Sequence, residues 1–268
     1  MPELPEVETV RRTLAPAVEG GCIAAVRFYW TRTCAGDADQ TAAILAGQEI
    51  ERLDRHGKYL VFRLRKHGRP SVLVIHLRMT GNLLLNAMPG RFTRAEMQLE
   101  GGTTLVFHDT RKFGRWQWSE ELPPRLAQLG PEPLEINFDE FAASLSGRRK
   151  RLKALLLDQE FLRGLGNIYA DEALFRARLH PERLGASLSR RKARDLHGAI
   201  QAVLRDAIQA GGTTIDNFVD GQGSRGYFQL QVQVYRKTGQ PCPTCATPVR
   251  RILVAQRSTH YCPRCQRR

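Results

Sequence analysis

The chain has 268 residues, and its 41 Lys and Arg against 27 Asp and Glu give a formal net charge of +14. This length allows one large domain or two ordinary ones, and a hydrophobic fraction of 42% is ordinary for packed cores. No apolar run reaches the ~18 residues that would cross a bilayer, and the opening MPELPEVETV lacks the basic start of a signal peptide. We therefore expect a folded cytoplasmic protein with neither export nor membrane insertion.

A helix is predicted at the start of the chain, followed by strands. Apolar residues recur at helical intervals from Leu4 to Leu14, which predicts a helix that ends near Pro16. Short strand-like runs follow, separated by Gly, Pro and Asn, at 22–30, 48–54, 58–65, 71–77, 82–86, 95–100 and 103–108. Their spacing favours a sandwich or barrel of antiparallel strands.

The pattern changes after a proline-rich section at 122–137. An apolar helical face begins at Leu152, and a second apolar stripe runs from Leu196 to Ala207 before two glycines end it. The predicted fold class is therefore α+β, with an N-terminal β-sandwich and its leading helix first and a helical domain second.

Four of the six cysteines form two Cys-x-x-Cys pairs with sixteen residues between them: Cys242, Cys245, Cys262 and Cys265. Such pairs on a ribbon of two β-hairpins can present four thiolates tetrahedrally at ~2.3 Å from Zn²⁺. Two disulfides are the alternative, which a reducing compartment disfavours. Because four cysteines leave no open position for water, we expect one structural zinc ion.

The positive charge is concentrated at the end of the chain. From Gly221 to Arg268 there are nine basic residues and no Asp or Glu. A surface of one sign attracts a polyanion, and duplex nucleic acid is the commonest one. Solubility alone is the alternative explanation, so charge by itself only favours nucleic acid.

A tight turn precedes one of the predicted helices of the second half. Gly164 and Gly166 flank one leucine, and Asn167 then stands at the expected N-cap. Free backbone N–H groups at such a helix start can bind phosphate. A plain helical hairpin in which Asn167 only caps the helix is the alternative.

Four features together resemble one known family. They are PELPEVETVRR at 2–12, DTRKFG at 109–114, GLGNIYADEALFRA at 164–177 and the terminal four-cysteine finger. In this order, over the whole chain, they resemble formamidopyrimidine-DNA glycosylases, which are bacterial base-excision repair enzymes. The resemblance implies a β-sandwich and a helix-two-turn-helix domain with DNA in the cleft between them. The implied divisions are a catalytic β-sandwich at 1–130, a linker at 131–147, a helix-two-turn-helix domain at 148–235 and a zinc finger with a β-hairpin at 236–268.

The resemblance also implies an activity and a partner. The implied enzyme is a monomer near the nucleoid that excises 8-oxoguanine and formamidopyrimidines from double-stranded DNA and then nicks the abasic site by β/δ-elimination. Two alternatives remain open. One is an endonuclease VIII-like glycosylase for oxidised pyrimidines, and the other is a non-enzymatic zinc-ribbon protein that only binds DNA.

The first residues suit that chemistry. Removal of Met1 would leave Pro2 with a secondary amine, and a terminal amine is more easily neutral near pH 7 than a lysine is. Such an amine can attack the sugar C1′ and form an iminium, and Glu3 can act as general acid and base. An ordinary helix start is the alternative, because early Pro and Glu suit a helix N-terminus.

Lys58 is the third expected catalytic residue. Alternation in GKYLVFRL at 57–64 puts it on the inward face with Leu60, Phe62 and Leu64. A lysine there is costly unless it faces a cleft or an anion, and the resemblance implies a phosphate-binding lysine at this position. A lysine whose amine extends to solvent from a strand end is the alternative.

Loops of the first domain carry side chains that could fill the gap left by an extruded base. Met79 offers a flexible apolar plug, and Arg111 and Phe113 offer a guanidinium and an aromatic ring. The resemblance implies these roles, whereas core packing is the alternative for Met79 and Phe113. It further implies phosphate contacts by His76, Asn167 and Arg257.

Some segments differ from the family pattern or have no clear assignment. Phe92 stands where many members have His, which would remove one minor backbone contact. Arg163 occupies a position that is commonly small or apolar, where it could contact phosphate or stay solvated. No role is assigned to 29–42, and the polar, glycine-rich segment 216–228 is predicted to be a mobile loop that closes over the flipped base.

Overall fold

We describe the protein from a computed structural model, which covers residues 1–215 and 217–268. The chain divides into two compact units. The first comprises 1–127 and 210–229, and the second comprises 128–209 and 230–268. The helices of the first unit are α1 (Leu4–Val18), α2 (Ala38–Leu45) and α3 (Pro124–Ala127). Its strands are β1 (Ile23–Phe28), β2 (Glu49–His56), β3 (Tyr59–Lys66), β4 (Arg69–His76), β5 (Gly81–Leu85), β6 (Thr93–Leu99), β7 (Thr104–Asp109) and β8 (Arg115–Ser119).

Two antiparallel four-stranded sheets form the predicted sandwich. One sheet has the order β1-β6-β7-β5, and the other has the order β2-β3-β4-β8. All seven predicted strands are present, whereas β8 was not predicted. It pairs with β4 and brings Trp116 into the core, where this ring is completely buried.

A single apolar core connects the two sheets and α1. Leu60, Phe62 and Leu64 lie on one face of β3 and are fully buried, as their alternation predicts. Val10 and Leu14 of α1 pack into the same cluster. Each fully buried side chain of this size contributes ~1.5–3 kcal/mol, so this core fixes α1 and the residues just before it against the sandwich.

The second unit is helical and ends in a two-stranded ribbon. Its helices are α4 (Phe138–Leu145), α5 (Leu152–Leu157), α6 (Asn167–Arg176) and α7 (Arg190–Gln209), and its strands are β9 (Arg250–Val254) and β10 (Arg257–Tyr261). The predicted stripe from Leu196 to Ala207 is the buried face of α7. The N-cap of α6 is Gly166, so the prediction that Asn167 is the cap is wrong by one residue.

Two segments differ from the sequence-based divisions. The stretch 131–147, predicted to be a linker, contains α4 with a capping box formed by Asn137 and Glu140. Residues 210–229 pack with the first unit, although the sequence analysis includes them in 148–235. Within the described ranges, no helix is both long and apolar enough to cross a membrane.

Candidate nucleic-acid interface and metal centre

Pro2 and Glu3 lie directly before α1, and both are buried. The backbone N–H of Glu3 donates to Oε2 of Glu6 at 2.8 Å, and Oε1 of Glu6 accepts from the backbone N–H of Thr213 at 2.8 Å. Glu6 is itself 2% exposed. One carboxylate therefore fixes the start of α1 and ties it to the segment 210–229. Sequence reasoning assigned Glu6 no role, although a glutamate three positions after an N-cap is typical of a capping box.

A second carboxylate fixes α1 to the sandwich. Glu8 pairs with Arg55 of β2 at 3.0 Å, and it accepts from Arg11 at 2.9 Å and Arg12 at 2.8 Å. Burial opposes ionisation, but the three guanidinium groups outweigh it and lower the pKa of Glu8 to about 2. Glu8 is therefore ionised at neutral pH, and the helix that begins beside Pro2 has a fixed orientation.

Lys58 and other cations of the first unit surround the ring of His76. Lys58 is 8% exposed and follows Gly57 in the two-residue turn before β3, where the φ of 60° at Gly57 suits a residue without Cβ. Burial and the charges of Arg78, Lys58 and Arg125 lower the pKa of His76 to about 3. Nδ1 of this neutral ring accepts from the backbone N–H of Arg78 at 2.9 Å. The proton must therefore be on Nε2, which is the form that can donate to a phosphate oxygen.

The three side chains predicted to fill the gap left by an extruded base lie together at the ends of neighbouring loops. They are Met79, Arg111 and Phe113. Met79 and Phe113 are 45% and 46% exposed, which excludes core packing for both. Nη1 of Arg111 lies 3.4 Å from Sδ of Met79, and its guanidinium carbon lies 4.7 Å from the centroid of the Phe113 ring. The guanidinium of Arg111 therefore lies between the Met79 side chain and the Phe113 ring. Together the three side chains form one exposed projection from the sandwich.

The segment 29–42, which had no assignment, packs against the DTRKFG loop. It contains a 3₁₀ turn at Thr31–Thr33 and the first five of the eight residues of α2. Nζ of Lys112 lies 4.1 Å from the centroid of the Trp30 ring, within the range of a cation–π contact. Phe92, the departure from the family pattern, is 37% exposed and stacks with Arg91.

Part of the predicted loop 216–228 is anchored within the first unit, while Asp216 lies outside the described residues. The carbonyl of Gly221 accepts from Leu85 of β5 at 2.7 Å, and its N–H donates to Thr13 of α1 at 3.0 Å. A Cβ at Gly221 would lie 2.5 Å from the Leu14 side chain. Only glycine therefore allows this close approach to α1.

Asn167 and Arg257, the two predicted phosphate ligands of the second unit, are neighbours. Nδ2 of Asn167, at the first turn of α6, donates to the carbonyl of Ser258 at 2.9 Å. Arg257 is exposed and begins β10, just after Ala255 and Gln256 with φ of 50° and 58° form the hairpin turn. The amide of Asn167 thus sets the position of the ribbon tip relative to the N-terminus of α6.

A buried ionic network supports that arrangement. Lys153 and Asp171 are completely buried and form an ion pair at 2.7 Å, and Nζ of Lys153 also donates to the carbonyl of Asn167 at 2.9 Å. The other carboxylate oxygen of Asp171 accepts from the backbone N–H and the ring of His260 at 2.9 and 3.0 Å. Sequence reasoning missed this network, since its members are far apart in the chain.

Glu172, the next residue of α6, is the second buried acid that sequence reasoning missed. Its carboxylate accepts three backbone N–H groups, those of residues 233, 234 and 235, at 2.8 to 2.9 Å. Burial, and to a smaller extent the charge of Asp171, raises the pKa of Glu172, whereas the three backbone donors lower it. The net shift is upward. Glu172 therefore anchors the chain that leads into the ribbon.

Arg163 does not simply stay solvated, which was one of the two alternatives for it, while the phosphate contact stays a prediction. Its guanidinium pairs with Glu132 at 3.2 Å and donates to the carbonyl of Gly130 at 3.2 Å. It thus holds the start of the second unit against the turn before α6.

The four cysteines form the predicted metal centre. The Sγ atoms of Cys242, Cys245, Cys262 and Cys265 all lie within 4.8 Å of one another. Two of the Sγ–Sγ distances are 3.9 and 3.5 Å, close to the ~3.8 Å edge of a tetrahedron with Zn–S of ~2.3 Å. The site can therefore hold one zinc ion, and its full thiolate set gives the ion a structural role.

These features define a class of protein: a β-sandwich with a buried N-terminal Pro-Glu, joined to a helical unit with a four-cysteine ribbon. Sequence models match each part, namely the formamidopyrimidine-DNA glycosylase N-terminal domain at 1–116, its H2TH domain at 129–219, and the zinc finger found in FPG and IleRS at 239–268. The chain belongs to the formamidopyrimidine-DNA glycosylase family, and it is a DNA glycosylase with a zinc finger.

Curated relatives match over the full length. The formamidopyrimidine-DNA glycosylase of Solibacter usitatus is 51% identical over all of both chains. That of Symbiobacterium thermophilum is 46% identical over 99% of this chain and 89% of its own.

Solved structures share the fold and were determined with DNA. A Lactococcus lactis FPG mutant in complex with DNA that contains Fapy-dG has a TM-score of 0.91 and 36% identity, with full coverage of both chains. The wild-type Lactococcus lactis protein in complex with DNA that contains an oxidised pyrimidine has a TM-score of 0.90 and 35% identity, again with full coverage.

Proposed function

We propose that this glycosylase excises oxidised purines, such as 8-oxoguanine and formamidopyrimidines, from double-stranded DNA and then cleaves the strand at the abasic site. The observation that carries the proposal is the buried Pro2-Glu3 pair at the start of α1, held by Glu6. A terminal secondary amine can form an iminium with a sugar. A protein that only binds DNA has no need of such an amine.

The chemistry begins once removal of Met1 exposes the Pro2 amine. The neutral nitrogen attacks C1′, the bond from C1′ to the base breaks, and the base leaves with the electron pair and takes up a proton. Glu3 supplies that proton and exchanges protons with the sugar as its ring opens. The nitrogen loses its own proton to Glu3, and the bond from C1′ to the ring oxygen O4′ breaks as O4′ takes up that proton. The bond from nitrogen to C1′ becomes an iminium, which acidifies the hydrogens on C2′.

Strand cleavage follows from that acidity. Loss of a C2′ proton expels the 3′ phosphate by β-elimination, and a second elimination expels the 5′ phosphate. Water then hydrolyses the iminium and regenerates the Pro2 amine. Zinc supplies no step, because its thiolate set leaves no position for substrate.

The surrounding residues would bind and open the DNA. Lys58 and the Nε2–H of His76 would contact phosphates near the reacting sugar, while Asn167 and Arg257 of the second unit would contact others. The projection of Met79, Arg111 and Phe113 would fill the gap left by the flipped nucleotide. The glycine-rich segment 216–228 would cover the base.

The substrate class needs its own test, since a relative has been crystallised with DNA that contains an oxidised pyrimidine. We expect faster excision from duplexes with 8-oxoguanine or a formamidopyrimidine than from matched duplexes with an oxidised pyrimidine. Faster pyrimidine excision would support the endonuclease VIII-like alternative instead.

A substitution separates the two chemical steps. Glu3→Gln should lose base excision, because the amide cannot donate the proton to the departing base. Strand cleavage at a preformed abasic site should fall much less, because that sugar already equilibrates with its open aldehyde. Equal loss of both activities in a folded variant would contradict the role of Glu3. DNA binding without excision by the wild-type protein would contradict the proposed function itself.

A further inference from the structure

The two loops that carry the exposed projection share one buried carboxylate. Asp109, the last residue of β7, is 1% exposed. Its Oδ1 accepts from the hydroxyl of Thr80 at 2.5 Å and from the backbone N–H of Arg111 at 3.1 Å, and its Oδ2 accepts from the backbone N–H of Gly114 at 2.7 Å. Thr80 follows Met79 directly, so one side chain connects both loops.

Asp109 is itself held on both sides of its backbone. Its N–H donates to the carbonyl of Phe92 at 2.9 Å, and its carbonyl accepts from Nε of Arg94 at 2.8 Å. The backbone of Asp109 is therefore fixed, and the positions of the two loops depend on the carboxylate that it carries.

Both loops also rest on one ring. A Cβ on Gly81 would lie 2.7 Å from Cζ of Phe107, and a Cβ on Gly114 would lie 2.3 Å from the same atom. Arg78 and Lys112, in the two loops, have left-handed φ values of 57° and 60°. Side chains other than Gly rarely adopt this conformation, so specific contacts must hold the loops in place.

We propose that Asp109 is a positioning residue that joins the two loops, so that Met79, Arg111 and Phe113 enter DNA as one wedge. The inference rests on the proposed function, which supplies the DNA and the flipped base. Asp109 does not itself touch the substrate. It acts through the backbone of Arg111 and Gly114 and through the hydroxyl of Thr80.

The contacts of Asp109 require a hydrogen-bond acceptor on each of its two side-chain oxygens. An ionised Asp has two acceptor oxygens, whereas Asn has one oxygen and one NH₂ donor. In one orientation of Asp109→Asn the NH₂ faces the N–H of Gly114, which then loses its acceptor. In the other it faces Thr80 and Arg111, where the N–H of Arg111 keeps only the Thr80 oxygen at 3.2 Å and the Thr80 hydroxyl can no longer donate to Asp109. The substitution therefore removes the contact of Asp109 to one of the two loops while it changes the volume of the side chain very little.

The test uses the zinc-loaded full chain and a duplex with 8-oxoguanine beside 2-aminopurine, whose fluorescence rises when the base next to it unstacks. We expect Asp109→Asn to slow both that signal and excision by at least about tenfold, because the wedge offsets the cost of unstacking. Strand cleavage at a preformed abasic site, where no base must be extruded, should change by less than about threefold.

Two further substitutions keep the test decisive if Asp109→Asn folds poorly. Thr80→Val removes only the hydroxyl and should also slow the fluorescence signal, whereas Thr80→Ser keeps the hydroxyl and should restore it. Asn137→Ala, which removes the N-cap of α4, is the stability control, and it should lower the melting temperature without slowing base extrusion.

The outcomes separate this inference from the proposed function. If the wild-type protein neither unstacks nor excises the base, the proposed function is wrong. If the wild-type protein is active and both Asp109→Asn and Thr80→Val, correctly folded, match its fluorescence signal, then Asp109 does not position the wedge. A loss that Thr80→Ser also shows would likewise contradict a role for the hydroxyl bridge.

Discussion

The buried pair of Lys153 and Asp171 allows a quantitative prediction for the stability of the second unit. Lys153→Met keeps an unbranched apolar side chain but removes the ammonium that donates to Asp171 at 2.7 Å and to the carbonyl of Asn167 at 2.9 Å. Both charged side chains are 0% exposed, so water cannot replace the lost donor without reorganisation. Breaking a buried ion pair by removing one partner costs ~3–5 kcal/mol. Because His260 still donates twice to Asp171, we expect a loss of about 3 kcal/mol.

The assay is denaturant unfolding of the zinc-loaded chain, followed by far-UV circular dichroism, in which α7 and its neighbours dominate the signal. Lys150→Met is the matched control. Lys150 pairs with Asp158 at 2.6 Å, but its side chain is 54% exposed, and exposed pairs contribute only ~0–1 kcal/mol. If Lys153→Met lowers the free energy of unfolding no more than Lys150→Met does, then the buried network does not stabilise this unit.

Three further predictions concern protonation and metal. The lowered pKa of Glu8, about 2, means that its stabilising effect is complete above pH ~4.5 and is lost as the pH falls toward 2. Glu8→Gln should flatten the fall in unfolding free energy over that window. The ring of His76, whose pKa burial and nearby cations lower to about 3, should show no NMR titration between pH 5 and 8, and a midpoint near 6.5 would contradict the neutral donor. Metal analysis should find about one zinc per chain, and Cys242→Ser should lower that ratio and unfold the ribbon; unchanged zinc content and unchanged ribbon signals would contradict the four-thiolate site.

The first domain could largely be predicted from sequence, because its signals are local. Alternation along β3 and the helical spacing in α1 each require only a few consecutive residues, and both are confirmed by the burial of the same side chains. Strand β8 was missed because RWQWS at 115–119 mixes large polar and aromatic residues without clear alternation. Its burial depends on pairing with β4, which sequence periodicity does not reveal.

The metal centre could also be predicted from sequence, since the spacing of four cysteines determines the ligand set. The contacts that hold the site residues in place could not be predicted. Glu6 reaches Thr213 across 207 positions of the chain, and Asp171 reaches His260 across 89. Such pairs have no local signature, because only the folded chain brings their partners together. The roles of Pro2, Glu3, Lys58 and the predicted DNA contacts stay predictions.

Covalent trapping tests directly whether the Pro2 nitrogen is the nucleophile. The Met-processed, zinc-loaded protein is incubated with an 8-oxoguanine duplex in the presence of borohydride, which reduces an iminium to a stable amine. Peptide mapping by mass spectrometry then locates the bond. We expect a DNA adduct on the nitrogen of Pro2. An adduct on a lysine such as Lys58, or intact DNA binding with no adduct at all, would contradict it.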